Sequence, residues 1–579
     1  MKLKMIISKR KICLWLLLSI FLIPINANSQ IPSKIGPSIS IDVNLQKEKG
    51  LMKPIWTFFG HDEPNYTYMK DGKKLLTEIS KLSNVPVYVR IHNILNTGDG
   101  TASLKWGSSN AYTEDEKGNP IYNWTIIDKI FDTYIDRGMR PLAEIGFMPK
   151  ALSTNPEPYQ RGVWSPDPTV RRKNPGGSGW AYPPNDYKKF GDLVYEWVKH
   201  SVARYGKAEV ENWYWEVWNE PDGGGFWKGT AEDYAKLYDY ASDAVKRALP
   251  TAKVGGPHST GPGAERAAAF LKNFLSHVIS GKNFATGKKG SPIDFIAFHA
   301  KGQPQVVNEV IRMNLGKQLN DISKGFEIVA SYPTLKKLPI IIGESDPEGC
   351  AACSEEFNPQ NAYRNGTMYS SYTAASFARK YDLADAWKVN LKGAVTWAFE
   401  FEDQKWFAGF RDLATNGVDK PVLNVFRMFG MMQGMRVETS QGTDYNYMTI
   451  RNESVRGKES DINALAAKDK SAATVMVWNY HDDNILLPPA PVEIKISGFA
   501  ANRVFLHHYR IDKEFSNSYE AWKKMGSPQN PTPEQYAELE NSGQLELLTS
   551  PEWIKTKNGE VILDFQLPFQ GVSFLKFTW

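Results

Sequence analysis

Eight short apolar runs alternate with longer amphipathic segments between about residues 55 and 434, and this repetition constrains the fold more than any other feature of the chain. Short apolar runs bounded by turn residues predict buried β-strands. The predicted strands are residues 55–60, 85–92, 140–147, 212–219, 252–256, 294–299, 338–344 and 393–399. The intervening segments predict helices, most clearly at residues 187–205, where apolar side chains share one helical face. This alternation predicts the α/β class, with a (β/α)8 TIM barrel of parallel strands inside a ring of helices.

The pattern changes after Gly434 to strands separated by turns. Strands are predicted at residues 474–480, 492–496, 504–509, 561–567 and 572–579, which favours a C-terminal β-sandwich at residues 436–579. Residues 39–43 predict one further strand, so we assign residues 30–50 to the same sandwich and residues 51–435 to the barrel. A polar insertion near residues 515–548 interrupts the sandwich and contains a predicted helix that begins at Glu534.

A cleavable signal peptide is predicted at residues 1–29. Five lysine and arginine residues precede an apolar run at residues 12–25, and small and polar residues follow the run. The run is too short to span a bilayer, so we expect the mature chain in the periplasm or outside the cell, without membrane insertion. Removing these five charges lowers the formal net charge from +5 to zero. A balanced surface gives no electrostatic reason to expect nucleic acid as a partner.

Two cysteines remain after the predicted cleavage, Cys350 and Cys353, and both lie in the loop after Glu344. A local disulfide is favoured in an oxidising compartment. A metal site is disfavoured, because two thiolates need further ligands and the neighbouring sequence supplies no histidine. Free thiols are the remaining alternative.

Two predicted strands lead directly into glutamates, Glu220 after the fourth strand and Glu344 at the end of the seventh. The carboxyl ends of barrel strands meet at one mouth, where the chemistry of this architecture takes place. Two carboxyls, one protonated and one ionised, can cleave a glycosidic bond. Glu220 suits the proton donor, because apolar neighbours such as Trp218 and a nearby negative charge both raise a carboxyl pKa. Glu344 then suits the nucleophile, although either glutamate alone could simply cap a helix or form a salt bridge.

Further candidates for binding a sugar lie at or near predicted strand ends. His92 and His299 could donate hydrogen bonds to sugar hydroxyls, or they could be core histidines that bond to the backbone instead. Trp397 could form a platform under the sugar ring, or it could fill the barrel interior. One of the acidic residues Glu400, Glu402 and Asp403 could bind sugar hydroxyls, or the three could form a charged rim of the mouth. These candidates are Asn219, His92, His299, Trp397, Glu400, Glu402 and Asp403, with His61 and Asp62 as weaker ones.

Two stretches of the sequence resemble glycoside hydrolase family 39, which contains β-xylosidases and α-L-iduronidases. Residues 216–222 (EVWNEPD) resemble the acid/base strand, and residues 509–529 of the sandwich resemble the xylosidase members. The resemblance covers nearly the whole mature chain. It implies a retaining mechanism with Glu220 as acid/base and Glu344 as nucleophile, and it implies no cofactor. Enzymes of this family often associate, so a homo-oligomer is one expectation.

Other positions look more like the iduronidase branch. In that branch a lysine and a later arginine bind the carboxylate of the sugar, and Lys301 and Arg411 match these two positions. Such a pair would favour a uronic acid, since charge-assisted hydrogen bonds to a carboxylate are strong. Salt bridges at the rim are the alternative role for both residues.

The function predicted from these observations is that of an exo-acting retaining β-xylosidase acting on oligosaccharides. An iduronidase-like or other uronidase, a β-galactosidase and an arabinosidase are the alternatives. A noncatalytic glycan-binding protein is disfavoured, because both Glu220 and Glu344 are present.

Overall fold

The parallel barrel predicted from the sequence is confirmed in a computed structural model, which describes residues 38–160, 164–173 and 177–579. The predicted signal peptide lies outside the described residues. The barrel strands follow one another around the sheet in chain order. Their bounds, from the first to the eighth, are Phe58–His61, Tyr88–Ile91, Arg140–Ile145, Tyr214–Val217, Lys253–Ser259, Phe295–Phe298, Pro339–Ile342 and Asn390–Ala394.

The sheet closes between the first strand and the segment that follows the eighth. The amide of Gly60 donates to the carbonyl of Thr396 at 2.9 Å, and the amide of Thr396 donates to the carbonyl of Phe58 at 2.9 Å. The eighth strand ends at Ala394, earlier than predicted, because Thr396 pairs only through an isolated bridge and Phe399 pairs with Asp412 of a later loop. Beyond Thr396, residues 397–399 therefore leave the barrel wall instead of extending it.

Helices surround the barrel and also occur in the sandwich insertion. The predicted helix at residues 187–205 is observed with those bounds, and its N-terminus is capped by the side chain of Asp186. The α-helices are Lys70–Ser80, Thr125–Ile135, Pro168–Lys173, Tyr187–Tyr205, Lys207–Val210, Ala231–Ala248, Glu265–Ser280, Leu315–Ala330, Thr367–Trp387, Pro421–Met431, Tyr447–Glu453, Ser518–Lys524 and Pro533–Ser542. Short 3₁₀ helices are Pro64–Tyr68, Lys150–Leu152, Gly179–Ala181 and Pro359–Arg364.

A second, mixed sheet forms the sandwich with a core of its own, which includes Ile41, Val475 and Ile494. The N-terminal strand lies inside this sheet, antiparallel to the strand after the barrel and parallel to Ala490–Ser497. Its strands are Ile39–Leu51, Met435–Gln441, Asp461–Lys468, Ala472–Tyr480, Ala490–Ser497, Arg503–Ile511, Glu546–Leu547, Glu552–Lys555, Glu560–Leu567 and Val572–Thr578. Four of these strands were not predicted from the sequence. Met435–Gln441 and Asp461–Lys468 interleave polar and small residues with the apolar ones, and Glu546–Leu547 and Glu552–Lys555 are short.

The smaller strands pair into hairpins outside the two large sheets. They are Tyr112–Glu114 with Pro120–Tyr122, Gln305–Val307 with Val310–Arg312, and Ala414–Thr415 with Val418–Asp419. None of the helices in the described part of the chain has the length and apolar character needed to cross a bilayer.

The insertion in the sandwich packs against a barrel loop. A small apolar cluster joins Trp406 and Phe407, from the loop after the eighth strand, to Trp522 and Leu539 of the insertion. The helix expected from Glu534 begins one residue earlier, at Pro533, behind a capping box formed by Thr532 and its third helical residue.

Candidate active site

Glu220 and Glu344 meet at the mouth of the barrel, past the ends of the fourth and seventh strands. One carboxylate oxygen of each and a ring nitrogen of His299 all lie within 4.8 Å of one another. The Nδ1 atom of His299 is 3.0 Å from Oε1 of Glu220 and 3.8 Å from Oε1 of Glu344. Residues separated by 124 positions in the sequence therefore form one site.

The backbone that carries Glu220 is strained. Trp218 has φ of 70° and Glu220 has φ of 43°, in the left-handed region that residues with bulky side chains rarely occupy. The amide of Glu220 donates to the carbonyl of His258 at 2.9 Å, which holds the turn against the fifth strand. Such strain concentrates at functional sites, where the surrounding structure enforces it. The side chain of Glu220 is 20% exposed, so it faces the open mouth.

The carboxylate of Glu344 is surrounded by positively charged and hydrogen-bond donating groups. Its Oε1 accepts from Arg90 Nη1 at 3.1 Å and lies 3.1 Å from His92 Nε2, and its Oε2 forms an ion pair with Lys301. Burial alone would raise the pKa of Glu344, but the charge of Lys301, His299 and the hydrogen bond from His92 bring it well below its ordinary value. Glu344 is therefore ionised across the neutral range.

Arg90, in the second strand, connects four side chains beneath the mouth and was not predicted as a site residue. The guanidinium donates to Glu216 at 2.6 Å, to Asn219 at 2.9 Å, to Glu344 at 3.1 Å and to Glu144 at 3.2 Å. Its side chain is fully buried. Burial lowers its pKa, but the carboxylates of Glu216 and Glu144 outweigh that effect and raise it.

Two histidine–carboxylate contacts complete this buried network. His92 contacts Glu144 through Nδ1, and the charge of Glu144 raises the pKa of His92 against the effect of burial. His258 lies with Nε2 2.5 Å from Glu216, and burial lowers the pKa of His258 to about 4. Glu144, Glu216 and His258 were not predicted from the sequence as site residues. A signal was available, because charged residues inside otherwise apolar barrel strands require buried partners.

Trp397 lies beneath the mouth, three residues beyond the end of the eighth strand. Its ring centroid is 4.4 Å from that of His92 and 4.8 Å from the guanidinium carbon of Arg90. The other side of the indole packs on Gly60, where a Cβ atom would lie only 2.5 Å from the ring. Because the side chain is 1% exposed, Trp397 supports His92 and Arg90 in this structure.

Lys301 and Arg411 converge on Asp346. Lys301 lies 3.7 Å from Asp346 in addition to its contact with Glu344, and its side chain is 15% exposed. Arg411 pairs with Asp346, lies 3.0 Å from Glu348, and donates through Nε to the carbonyl of Trp397 at 2.8 Å. Arg411 has no exposed surface. The lysine thus reaches the mouth, whereas the arginine is enclosed below it.

The acidic residues after the eighth strand gather away from the two glutamates. Glu400 accepts a hydrogen bond from the amide of Gly417 at 2.5 Å, and burial, opposed in part by that bond, raises its pKa well above the ordinary value. Glu402 accepts from the backbone of Asp71, and Asp71 and Asp403 lie close enough to raise its pKa together with burial. This group therefore surrounds Asp71 of the first helix.

His61 ends the first strand, and Asp62 follows it. The ring of His61 stacks on Phe399 at 4.0 Å, and burial lowers its pKa to about 3, so it is neutral. Asp62 pairs with Lys105 and lies 3.6 Å from His92. In the loop after Glu344, Cys350 and Cys353 form a disulfide, as favoured from the sequence.

The chemistry available at the mouth is that of two carboxyl groups in unlike surroundings. Glu344 is an ionised carboxylate fixed by buried donors, and Glu220 is a partly exposed carboxyl held by His299. These three residues could also approach one metal ion, but Lys301 and Arg90 already place two fixed positive charges against Glu344. The arrangement therefore favours proton transfer and nucleophilic attack.

Known proteins resemble this chain over most of its length. The family model described as "Glycosyl hydrolases family 39" matches residues 39–546. A β-xylosidase of Geobacillus stearothermophilus is 26% identical over 84% of this chain and 86% of its own length. A β-xylosidase of Caldicellulosiruptor saccharolyticus is 26% identical over 92% of this chain and 98% of its own length. The α-L-iduronidase of Mus musculus is 24% identical over 72% of this chain and 63% of its own length.

A solved structure shows the same fold. The crystal structure of a monomeric β-xylosidase from Caulobacter crescentus CB15 matches with a TM-score of 0.71 at 22% sequence identity. The match covers 93% of this chain and 99% of that chain. Barrel and sandwich therefore occur together in both proteins.

Proposed function

This chain belongs to glycosyl hydrolases family 39 and is a glycoside hydrolase, and from that premise we propose that it is an exo-acting, retaining β-xylosidase. In this proposal Glu220 is the general acid/base and Glu344 is the nucleophile. The substrate is an oligosaccharide from which one xylose is released at the nonreducing end. The names of the two β-xylosidase relatives support this sugar.

The observation that carries the proposal is the short distance between the two carboxyl groups. Retaining glycosidases hold their carboxyls roughly 5 Å apart, whereas inverting enzymes leave room for a water molecule between them. Oxygen atoms of Glu220 and Glu344 lie within 4.8 Å of each other. This spacing supports direct attack by one carboxylate on the anomeric carbon.

The reaction proceeds in two displacements. Glu344 attacks the anomeric carbon and forms a covalent ester with the sugar, while Glu220 gives its proton to the departing glycosidic oxygen. Water then enters, Glu220 takes a proton from it, and the resulting attack on the anomeric carbon releases Glu344. His299, 3.0 Å from Glu220, orients the carboxyl that performs both proton transfers.

A neutral sugar suits the charge arrangement better than a uronic acid. Arg411 is buried and contacts Asp346 and Glu348, so it exposes no surface to a sugar carboxylate. Burial raises the pKa of Glu348, but Arg364 and Arg411 lower it far more, so this carboxylate is ionised. Lys301 favours a uronidase as second candidate, because its partly exposed ammonium borders the mouth, and the similarity to an α-L-iduronidase supports the same alternative.

Hydrolysis of a panel of nitrophenyl glycosides tests the sugar and the reaction together. We expect turnover of the β-xyloside to exceed that of α-L-iduronide, β-galactoside and α-L-arabinoside, with the β-anomer of xylose as the first product in NMR spectra. Turnover of the iduronide alone would favour a uronidase over a β-xylosidase. An α-anomer as first product would refute retention, and binding of glycans without any turnover would favour a noncatalytic protein.

Variants of the two glutamates test their roles. We expect Glu344→Ala to lose turnover and to recover part of it with azide. The azide would take the place of the missing carboxylate, attack the anomeric carbon from the side opposite the leaving group, and give a product of inverted configuration. We expect Glu220→Ala to lose least on substrates with good leaving groups, since these need little protonation. An equal loss across all leaving groups would contradict the assignment of Glu220.

We also propose that the enzyme is exported. The pattern of residues 1–29 and the disulfide between Cys350 and Cys353 both support an oxidising compartment. Fractionation of cells that express the full chain tests this, with loss of the N-terminal residues expected by mass spectrometry. An intact N-terminus in the cytoplasmic fraction would contradict export.

A further inference from the structure

A cavity of about 390 Å³ opens at the rim of the barrel, separate from the residues around Glu344. Its walls come from four segments: Pro166 after the third strand, residues 354–357 after the seventh, residues 404–410 after the eighth, and Trp522 with Gln529 of the sandwich insertion. Segments that follow barrel strands lie at the same end as the active site. The cavity therefore faces the same side of the molecule as Glu220 and Glu344.

Three of these walls, the two loops after the seventh and eighth strands and the insertion, are fixed to one another. The amide of Glu355 donates to the carbonyl of Ala408 at 2.9 Å, which ties the two barrel loops together. The amide of Trp406 donates to Oε1 of Gln529 at 2.9 Å, and Phe407 packs on Trp522 with ring centroids 5.0 Å apart. The insertion, for which sequence analysis found no role, thus completes a preformed pocket.

The lining combines aromatic surface with short polar groups. Trp406, Trp522 and the half-buried Phe357 supply the aromatic surface, and the side chain of Gln404 adds an amide. The exposed Lys405 at the rim forms an ion pair with Glu356 at 3.0 Å. Because the two charges offset each other, the rim favours a neutral ligand over an ion. Aromatic faces beside amide and carboxylate groups suit the C–H faces and hydroxyls of a sugar ring.

The size and the position of the cavity limit what it can hold. Its volume is near the lower end for small-molecule sites, enough for about one or two sugar rings. Phe410 lines it, and the next residue, Arg411, donates to the carbonyl of Trp397 beneath the catalytic mouth. The same loop therefore borders both the cavity and the active site.

We propose that this pocket binds a sugar ring of the leaving-group chain, away from the bond that is cleaved. The proposal rests on the proposed function, because it takes the pocket's ligand to be part of the substrate of the same enzyme. A sugar held there would contribute binding only for chains long enough to reach the pocket. The insertion would then make the enzyme prefer longer oligosaccharides to shorter ones.

Chain-length dependence in matched variants tests the proposal. The ratio of kcat/KM for xylohexaose to kcat/KM for 4-nitrophenyl β-D-xyloside is measured in the wild type, Phe357→Ala and Gln404→Ala. Loss of one aromatic contact should lower this ratio about fivefold in Phe357→Ala. The control is Phe284→Ala, which removes an exposed ring (38%) from a segment preceding the sixth strand, at the opposite end of the barrel, and should keep the wild-type ratio.

An unchanged ratio in both pocket variants, with thermal melting like that of the wild type, would overturn the proposal. Failure of the proposed function would look different, since the wild type would then cleave neither substrate. In that case calorimetric titration of neutral hexasaccharides decides the question. Weaker binding to Phe357→Ala than to Phe284→Ala would support a sugar pocket, and equal affinities would overturn it.

Discussion

At the scale of single residues, Arg90 and Lys301 set the state of the proposed nucleophile. Arg90 holds Glu344, Glu216, Glu144 and Asn219 from below with four hydrogen bonds, and Lys301 contacts the carboxylate from the mouth. Buried ion pairs are costly to break, because removing one partner leaves an uncompensated charge. We therefore expect the two cations to have different roles. Arg90 stabilises the fold and positions Glu344, and Lys301 lowers the pKa of Glu344.

Replacing Lys301 by Met should move the acid limb of the pH profile of kcat/KM to higher pH. Lys301 is the leading charge that lowers the pKa of Glu344 against the effect of burial, so its loss raises that pKa. Glu344 must be ionised to attack, and a higher pKa leaves it protonated over more of the acid range. Lys301→Arg, which keeps the charge, is the control. An acid limb that stays in place in Lys301→Met would contradict this account.

The same variant separates the two candidate sugars. If Lys301 binds a sugar carboxylate, Lys301→Met should lower kcat/KM for uronides far more than for xylosides. If Lys301 acts through Glu344, kcat/KM should fall by similar factors for uronides and for xylosides. Parallel assays on nitrophenyl β-D-xyloside and an iduronide substrate measure the difference.

Replacing Arg90 by Met should destabilise the protein by about 3–5 kcal/mol, because Glu144 and Glu216 stay buried without their shared cation. Denaturant unfolding measures the loss. Arg140→Met is a matched control, since Arg140 begins the third strand, is 23% exposed and pairs with Glu209. Its expected cost is about 1 kcal/mol or less. Similar costs for both variants would mean that the buried network contributes little.

At the scale of elements, Glu220 and Glu344 each lie just past a short strand, and the helix that follows Glu220 begins with a defined cap. The helix Ala231–Ala248 follows the loop that carries Glu220, and its N-terminus has a capping box between Thr230 and Asp233. Its buried face packs on the helix Tyr187–Tyr205. The loop is therefore anchored at one end by the fourth strand and at the other by this cap.

Replacing Thr230 by Ala should lower the free energy of unfolding by about 1 kcal/mol, because the amide of Asp233 loses its acceptor. Thr230→Ser keeps the hydroxyl oxygen and should recover most of the loss. Chemical denaturation of the three proteins checks both expectations. A Ser variant as unstable as the Ala variant would assign the effect to the methyl group instead of the cap.

At the scale of the whole molecule, the N-terminal strand joins the two ends of the chain. Ile39–Leu51 lies between Met435–Gln441, directly after the barrel, and Ala490–Ser497. Its side chains Ile41, Val43 and Leu45 are buried in the core of the sandwich. The chain therefore enters the barrel from the sandwich and returns to it, which couples the folding of both parts.

A variant that begins at residue 52 should lose the sandwich, whereas one that begins at residue 38 should fold. The shorter chain loses three buried side chains, each stabilising by about 1.5–3 kcal/mol, and leaves two strand edges unpaired. Soluble yield and thermal melting compare the two. Equal melting temperatures would show that the sandwich does not need this strand.

The sequence by itself determined the features that depend on local pattern. Apolar runs alternating with amphipathic segments specify the eight strands and their helices, and the order of residues 213–221 and 338–344 puts Glu220 and Glu344 past two of those strands. The disulfide between Cys350 and Cys353 was favoured by their close spacing and by the predicted export of the chain. These predictions hold because each depends on neighbours within a few residues.

Only the tertiary structure decided which side chains meet across the barrel. Arg90, Glu144, Glu216 and His258 come from four different strands, and their pairing depends on strand stagger and barrel closure, which no local pattern specifies. Glu400 and Glu402 lie next to the eighth strand in sequence, yet packing of residues 399–420 against the first helix and the insertion turns them toward Asp71. Long-range packing sets the course of such loops, and so it decides where their charges lie.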